Sequence, residues 1–163
     1  MRRIAALLLA TLATATAAPL RAQAAHPDFS GTWNLDVSKL EGPQAQAGIT
    51  SGTLTITQTD KAMKQDQVVS SSMGFQPVTV NYNLDGTESK NTMTQGPMTM
   101  DMTSTTAWDG TTLVITTKSE IQGNPYVRTD RYNLDPSGKV LTVDASASVM
   151  GQSVSFKETF NKA

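Results

Sequence analysis

Clusters of turn-forming residues recur along this chain at nearly even spacing, and that regularity leaves few architectures open. They stand at Asp60-Lys61, Met73-Gly74, Asp85-Gly86, Gln95-Gly96-Pro97, Asp109-Gly110, Gly123-Asn124-Pro125, Asp135-Pro136-Ser137-Gly138 and Met150-Gly151. Separations of about 10 to 14 residues match one strand and one tight turn, repeated. Asp85-Gly86 and Asp109-Gly110 are expected to be two-residue hairpin turns, because glycine tolerates the positive φ that such turns need. Between the turns, apolar and polar residues alternate with the period of a half-buried strand. Val78, Val80, Tyr82 and Leu84 alternate with Thr79, Asn81 and Asn83. Leu113, Ile115, Thr117 and Ile121 oppose Thr116, Lys118 and Glu120, and Leu141, Val143, Ala145, Ala147 and Val149 oppose Thr142, Asp144, Ser146 and Ser148. Val154, Phe156 and Phe160 end the series.

The pattern predicts strands over 30–35, 49–58, 62–71, 77–84, 87–93, 99–107, 112–121, 126–134, 139–149 and 152–161. No stretch sustains a helical period, and one helical turn is expected around Asp36 to Leu40. Short connections make sequence neighbours into antiparallel partners. An apolar face shared by so many hairpins is best satisfied by closing the sheet, which also removes its exposed edges. The fold class is therefore all-β, a single up-and-down meander barrel of about ten strands. A two-sheet sandwich of the same hairpins is the competing arrangement.

The first 24 residues are set apart as a cleavable export signal. Arg2 and Arg3 precede an apolar stretch, Ile4 to Ala18, and Ala22-Gln23-Ala24 is a small-x-small cleavage site. About 15 apolar positions fall short of the roughly 20 that a membrane span needs. No Cys follows, so a lipid-anchored form is excluded, and a periplasmic or secreted protein without a transmembrane segment is expected. Residues 25–163 then form one domain of ordinary size with no disulfides. Without the leader arginines the net charge is about −4 and no basic stripe forms, which speaks against nucleic acid. A monomer is expected, and no cofactor is implied.

The segment Phe29-Ser30-Gly31-Thr32-Trp33-Asn34-Leu35 resembles the opening strand of lipocalin and fatty-acid-binding (calycin) barrels. A closer likeness is to small secreted bacterial proteins that open on Asp-Phe-Ser-Gly-Thr-Trp. These also carry a Ser-Lys pair (Ser38-Lys39), a Leu-Asp-Gly turn (Leu84-Asp85-Gly86) and a Trp-Asp-Gly turn (Trp108-Asp109-Gly110). The resemblance implies the barrel fold, with Trp33 plugging one end under a basic side chain from Lys157 or Lys162. It departs from fatty-acid-binding proteins between the first two strands, where Asp36 to Gly48 is too short for a two-helix lid.

Small inward positions (Gly52, Thr117, Ser119, Ala145 and Ala147) leave room for a ligand. Tyr126, Arg128, Asp130, Tyr132 and Leu134 share one face. The resemblance implies that Arg128 and Tyr132 meet a ligand carboxylate, and guanidinium geometry suits that partner. The plainer alternative pairs Arg128 with Asp130 or Glu158. Met98, Met100 and Met102 share a strand face, which suits either an adaptable apolar lining or a Cu(I) site. His26 could add an imidazole, but it lies in a segment expected to fray.

Catalysis has little support, since Cys is absent and the single His lies near the start of the domain. The favoured reading is an exported, non-enzymatic barrel holding a small hydrophobic or amphipathic molecule. The candidate binding residues are Trp33, Tyr82, Met98, Met100, Met102, Arg128 and Tyr132, with no catalytic or metal-ligating residues assigned. A Met-based copper protein and a filled structural barrel are the alternatives.

Overall fold

A computed structural model describes residues 26–163, and the export signal expected over 1–24 lies outside them. Ten strands form one antiparallel sheet: β1 (Gly31–Leu35), β2 (Ile49–Gln58), β3 (Ala62–Ser71), β4 (Val78–Asn83), β5 (Ser89–Gln95), β6 (Met98–Asp109), β7 (Thr112–Ile121), β8 (Asn124–Leu134), β9 (Val140–Val149) and β10 (Gln152–Lys162). β1 pairs with both β2 and β10, setting Trp33 opposite Lys162 and Leu35 opposite Phe160. That pairing joins the two halves of the meander and makes a nearly closed barrel rather than a sandwich. The alternating residues explain it, because Val80, Tyr82, Leu113, Ile115, Leu141 and Val143 all bury on the inner side.

One seam interrupts the barrel. Strand order runs from β4 at one edge to β5 at the other, so these two sequence neighbours share no main-chain ladder. Side-chain amides bridge the gap instead. The Asn91 carboxamide accepts from Asn81 N–H at 2.7 Å and donates to the Asn81 carbonyl at 2.9 Å. Gln95 does the same to Gln76, at 2.9 and 3.0 Å. Each amide supplies the donor and acceptor that a neighbouring strand would offer.

The expected Asp85-Gly86 hairpin is accordingly not formed. Leu84 N–H bonds back to Lys61, and Asp85 folds its carboxylate onto Thr87 in a local turn. At the next turn, Asp109 still pairs with Thr112, so the two-residue turn is Gly110-Thr111, one position later than expected. The linker also differs from expectation. It carries two 3-10 turns, Val37–Lys39 and Pro43–Gln46, where one was foreseen. Gly42 makes the corner between them at φ 81°, and a Cβ there would lie 2.5 Å from the Ser155 carbonyl oxygen. No helix among the described residues is long and apolar enough to cross a membrane.

Candidate functional site

The two ends of the barrel are built differently, and the difference positions the site. At the lower end, Trp33 is fully buried and donates its indole N–H to the Phe29 carbonyl at 2.9 Å. The Lys162 ammonium lies 5.0 Å from the ring centre, so Lys162 is the covering residue, while Lys157 sits near Asp144 on the outside. Gly31 explains the Gly-x-Trp spacing. Its φ is 137°, and a Cβ there would press to 3.1 Å on the Lys162 stem. His26, expected to fray, instead stacks on Trp108 with ring centres 4.0 Å apart. Stacking removes apolar ring surface from water, which favours the segment lying against the barrel.

Above this plug the interior is open. An inner chamber of about 140 Å3 is lined by Leu54, Val80, Tyr82, Tyr132, Val143 and the thioethers of Met93, Met100 and Met102. A second chamber of about 240 Å3 lies towards the upper end, under Gln44 and Ala47 of the linker and beside Ile49, Phe75 and Gln95. Gln67, Val78, Met93, Arg128 and Glu158 line both, so the two chambers meet at a common waist.

The waist is polar. Arg128 Nε contacts the two Asp130 carboxylate oxygens at 2.8 and 2.9 Å, and its Nη2 lies 2.7 Å from Oδ1. The guanidinium also rests over the Phe156 ring, 4.6 Å from its centre. Burial opposes the charge on Arg128, but Asp130 outweighs it, aided by Glu158, and holds the guanidinium protonated. Burial pushes the Glu158 carboxyl above the ordinary range, against the pull of Arg128 and with the push of Asp130. Tyr132 donates to Gln65 Oε1 at 3.2 Å. Burial, reinforced by Asp130, raises both the Tyr82 and Tyr132 hydroxyls well above their usual range, so both stay neutral donors.

Of the residues singled out by sequence, Tyr82, Met100, Met102, Arg128 and Tyr132 come together around the inner chamber. Trp33 and Met98 do not. Trp33 belongs to the plug, where packing leaves it no open side. Met98 opens β6 beside the Gly96-Pro97 turn, and its side chain is 44% exposed. Of Met98, Met100 and Met102, only Met100 and Met102 line the chamber. Met93 takes the third place because it stands opposite Met100 in register, a pairing that strand spacing alone does not reveal. No group of three or more His, Cys, Asp or Glu side chains suited to a metal ion occurs among the described residues.

Arg128 has the plainer of its two expected arrangements, the pair with Asp130. Three of the small positions are also occupied differently from expectation. Leu35 fills the space over Gly52, and Phe156 packs on Ala145 and Ala147. Glu158 was expected inside the barrel, but only as a partner of Arg128, and Gln44 was not singled out at all. The inward phase of Phe156 and Phe160 was the available signal for Glu158, which lies between them on the same face.

In fold the chain is a calycin-like barrel, remotely similar to fatty-acid-binding proteins. No protein-family model matches the chain, and no curated protein matches it by sequence. Solved structures do match in fold. A secretory abundant heat soluble protein of Ramazzottius varieornatus aligns over 82% of this chain and 94% of its own, with 16% identity and a TM-score of 0.55. A fatty acid binding protein of Schistosoma mansoni, in complex with arachidonic acid, aligns over 83% and 96%, with 14% identity and a TM-score of 0.52. A variant of the fluorescent protein UnaG aligns over 83% and 96%, with 18% identity and a TM-score of 0.54. At these identities the likeness is one of fold.

Proposed function

We propose that this protein is an exported, non-enzymatic carrier that holds a small hydrophobic or amphipathic molecule in the chambers on either side of Arg128. One observation carries the reading: the barrel is plugged at one end yet unfilled above it, with an apolar lining broken by a small polar cluster. Ligand pockets have that composition, mostly apolar with a few polar groups that orient the guest. An interior of about 140 Å3 is close to the roughly 150 Å3 of an engineered cavity that accepts benzene. The upper chamber gives a longer guest somewhere to extend. Three thioethers suit the lining, since methionine adapts its shape to different apolar partners. The fold-level likeness to a fatty acid binding protein in complex with arachidonic acid points the same way.

The non-enzymatic part of the reading is supported by the position of the single His, stacked on Trp108 at the plugged end, away from the waist. Export is supported by the leader sequence. Native mass spectrometry of the protein purified from its own host, followed by organic extraction, tests the reading. A retained small apolar molecule is the expected result. A ligand-free mass, together with failure to take up any apolar probe in solution, would count for a structural barrel instead.

A further inference from the structure

The waist holds two carboxyl groups but a single cation. Arg128 is the only basic side chain lining either chamber among the described residues, and Asp130 already engages it through three contacts of 2.7 to 2.9 Å. Glu158 is only 9% exposed, lines both chambers, and has no Lys, Arg or His nitrogen within ion-pair distance among the described residues. A buried carboxylate in that condition costs free energy unless a partner neutralises it. An unsatisfied polar atom stands next to it. The Gln44 side chain hydrogen-bonds Glu158, and its own carboxamide oxygen is buried without a hydrogen-bond partner.

These two groups select against the obvious guest. A ligand carboxylate brings only acceptors and would add a third acid to a guanidinium already paired. It would satisfy neither Glu158 nor Gln44. A protonated amine brings three donors, no acceptor and the missing positive charge. We propose that the ligand of this barrel is a cationic amphiphile, its ammonium seated against Glu158 and Gln44 at the waist and its apolar part extending into the adjoining chambers. This rests on the carrier reading above and specifies the class of guest. Arg128 and Asp130 then act as a fixed structural pair that shapes the waist.

Octylamine, octanol and octanoate share one tail and differ only in the head, so their affinities for the full protein near pH 7 test the proposal by calorimetric titration. Octylamine is expected to bind at least about tenfold more tightly than octanoate, with octanol between them. Glu158→Gln is expected to remove the advantage of the amine over the alcohol while leaving octanol binding in place. Octanoate equal to or tighter than octylamine would overturn the amine assignment and leave the carrier reading standing. An unchanged preference for the amine in Glu158→Gln would overturn its placement at Glu158. No binding by any of the three would overturn both readings. The wild-type ranking decides the class of guest even should the variant fail to fold.

Discussion

The lower and upper ends of this barrel obey different rules. The lower end is packed: Phe29, Trp33, Leu113, Leu141 and Phe160 are all essentially inaccessible. Its connections are closed by side-chain bonds, as where Asp135 accepts from Ser137, Lys139 and Val140. The upper end is loosely covered. Met73, Phe75, Met98 and Met150 are exposed there, and the loops turn on Gly96, Gly123 and Gly151 with little side-chain bonding. The lower end is therefore the packed one and the upper end the more open one, so on the proposed carrier function stability and access lie at opposite ends of the same strands.

The largest expected effect breaks the plug. Trp33→Ala should cost about 3–5 kcal/mol, the range for truncating a fully buried large aromatic. Phe75→Ala, at the upper chamber, should change stability by less than about 0.5 kcal/mol while weakening probe binding. Urea unfolding and a binding titration on both variants check the contrast. Equal stability losses at the two ends would erase it.

Acid should act on the two regions in opposite directions. The Asp135 carboxyl is held down to about 2 by its hydrogen bonds, first of all from Ser137, and Thr87 lowers Asp85 likewise. Groups with depressed folded values contribute stability that is complete above their unfolded value near 3.8 and is lost as pH falls towards about 2. Glu158 has the opposite sign. Its raised folded value means that the folded state is destabilised as pH climbs above 4.5 and through that value. Ligand-free Glu158→Gln should therefore melt a few degrees higher than wild type at neutral pH and lose that advantage below about pH 4. Thermal melts across pH 2 to 8 read both trends, and a Glu158→Gln melting temperature below wild type at neutral pH would contradict the second.

The smallest effect concerns the upper turns. Met150 and Gln122 hold φ of 53° and 51° immediately before a glycine, in the conformation that Asn-Gly pairs favour. Met150→Asn should stabilise by about 0.5 kcal/mol without altering ligand affinity. A change in affinity would show that the exposed Met150 side chain takes part in admitting the guest.

Much of this molecule was legible without coordinates. Period-2 alternation and turn chemistry are local, so all ten strands fall within about two residues of their expected bounds. The inward face of β8, with Tyr126, Arg128, Asp130 and Tyr132, followed from the same periodicity. The Pro43–Gln46 turn was not legible, because its place depends on the Gly42 corner meeting β10, a strand far away in sequence. Nor was the seam, since nothing local says that Asn91 and Gln95 will stand in for a strand.

The site divides along the same line. Residue order alone determined which side chains point inward, because a strand's faces alternate whatever its neighbours do. Only the tertiary structure decided which of those inward residues meet an open space and which are packed shut. Trp33 and Tyr82 are both inward aromatics, yet one is sealed in the plug and the other borders a chamber. Register between distant strands made that choice. It set Met93 against Met100, and the pairing of both β8 and β10 with β9 brought Glu158 to the same chambers as Arg128. Periodicity is a property of each strand, whereas a cavity and its unmatched charge are properties of strands brought together.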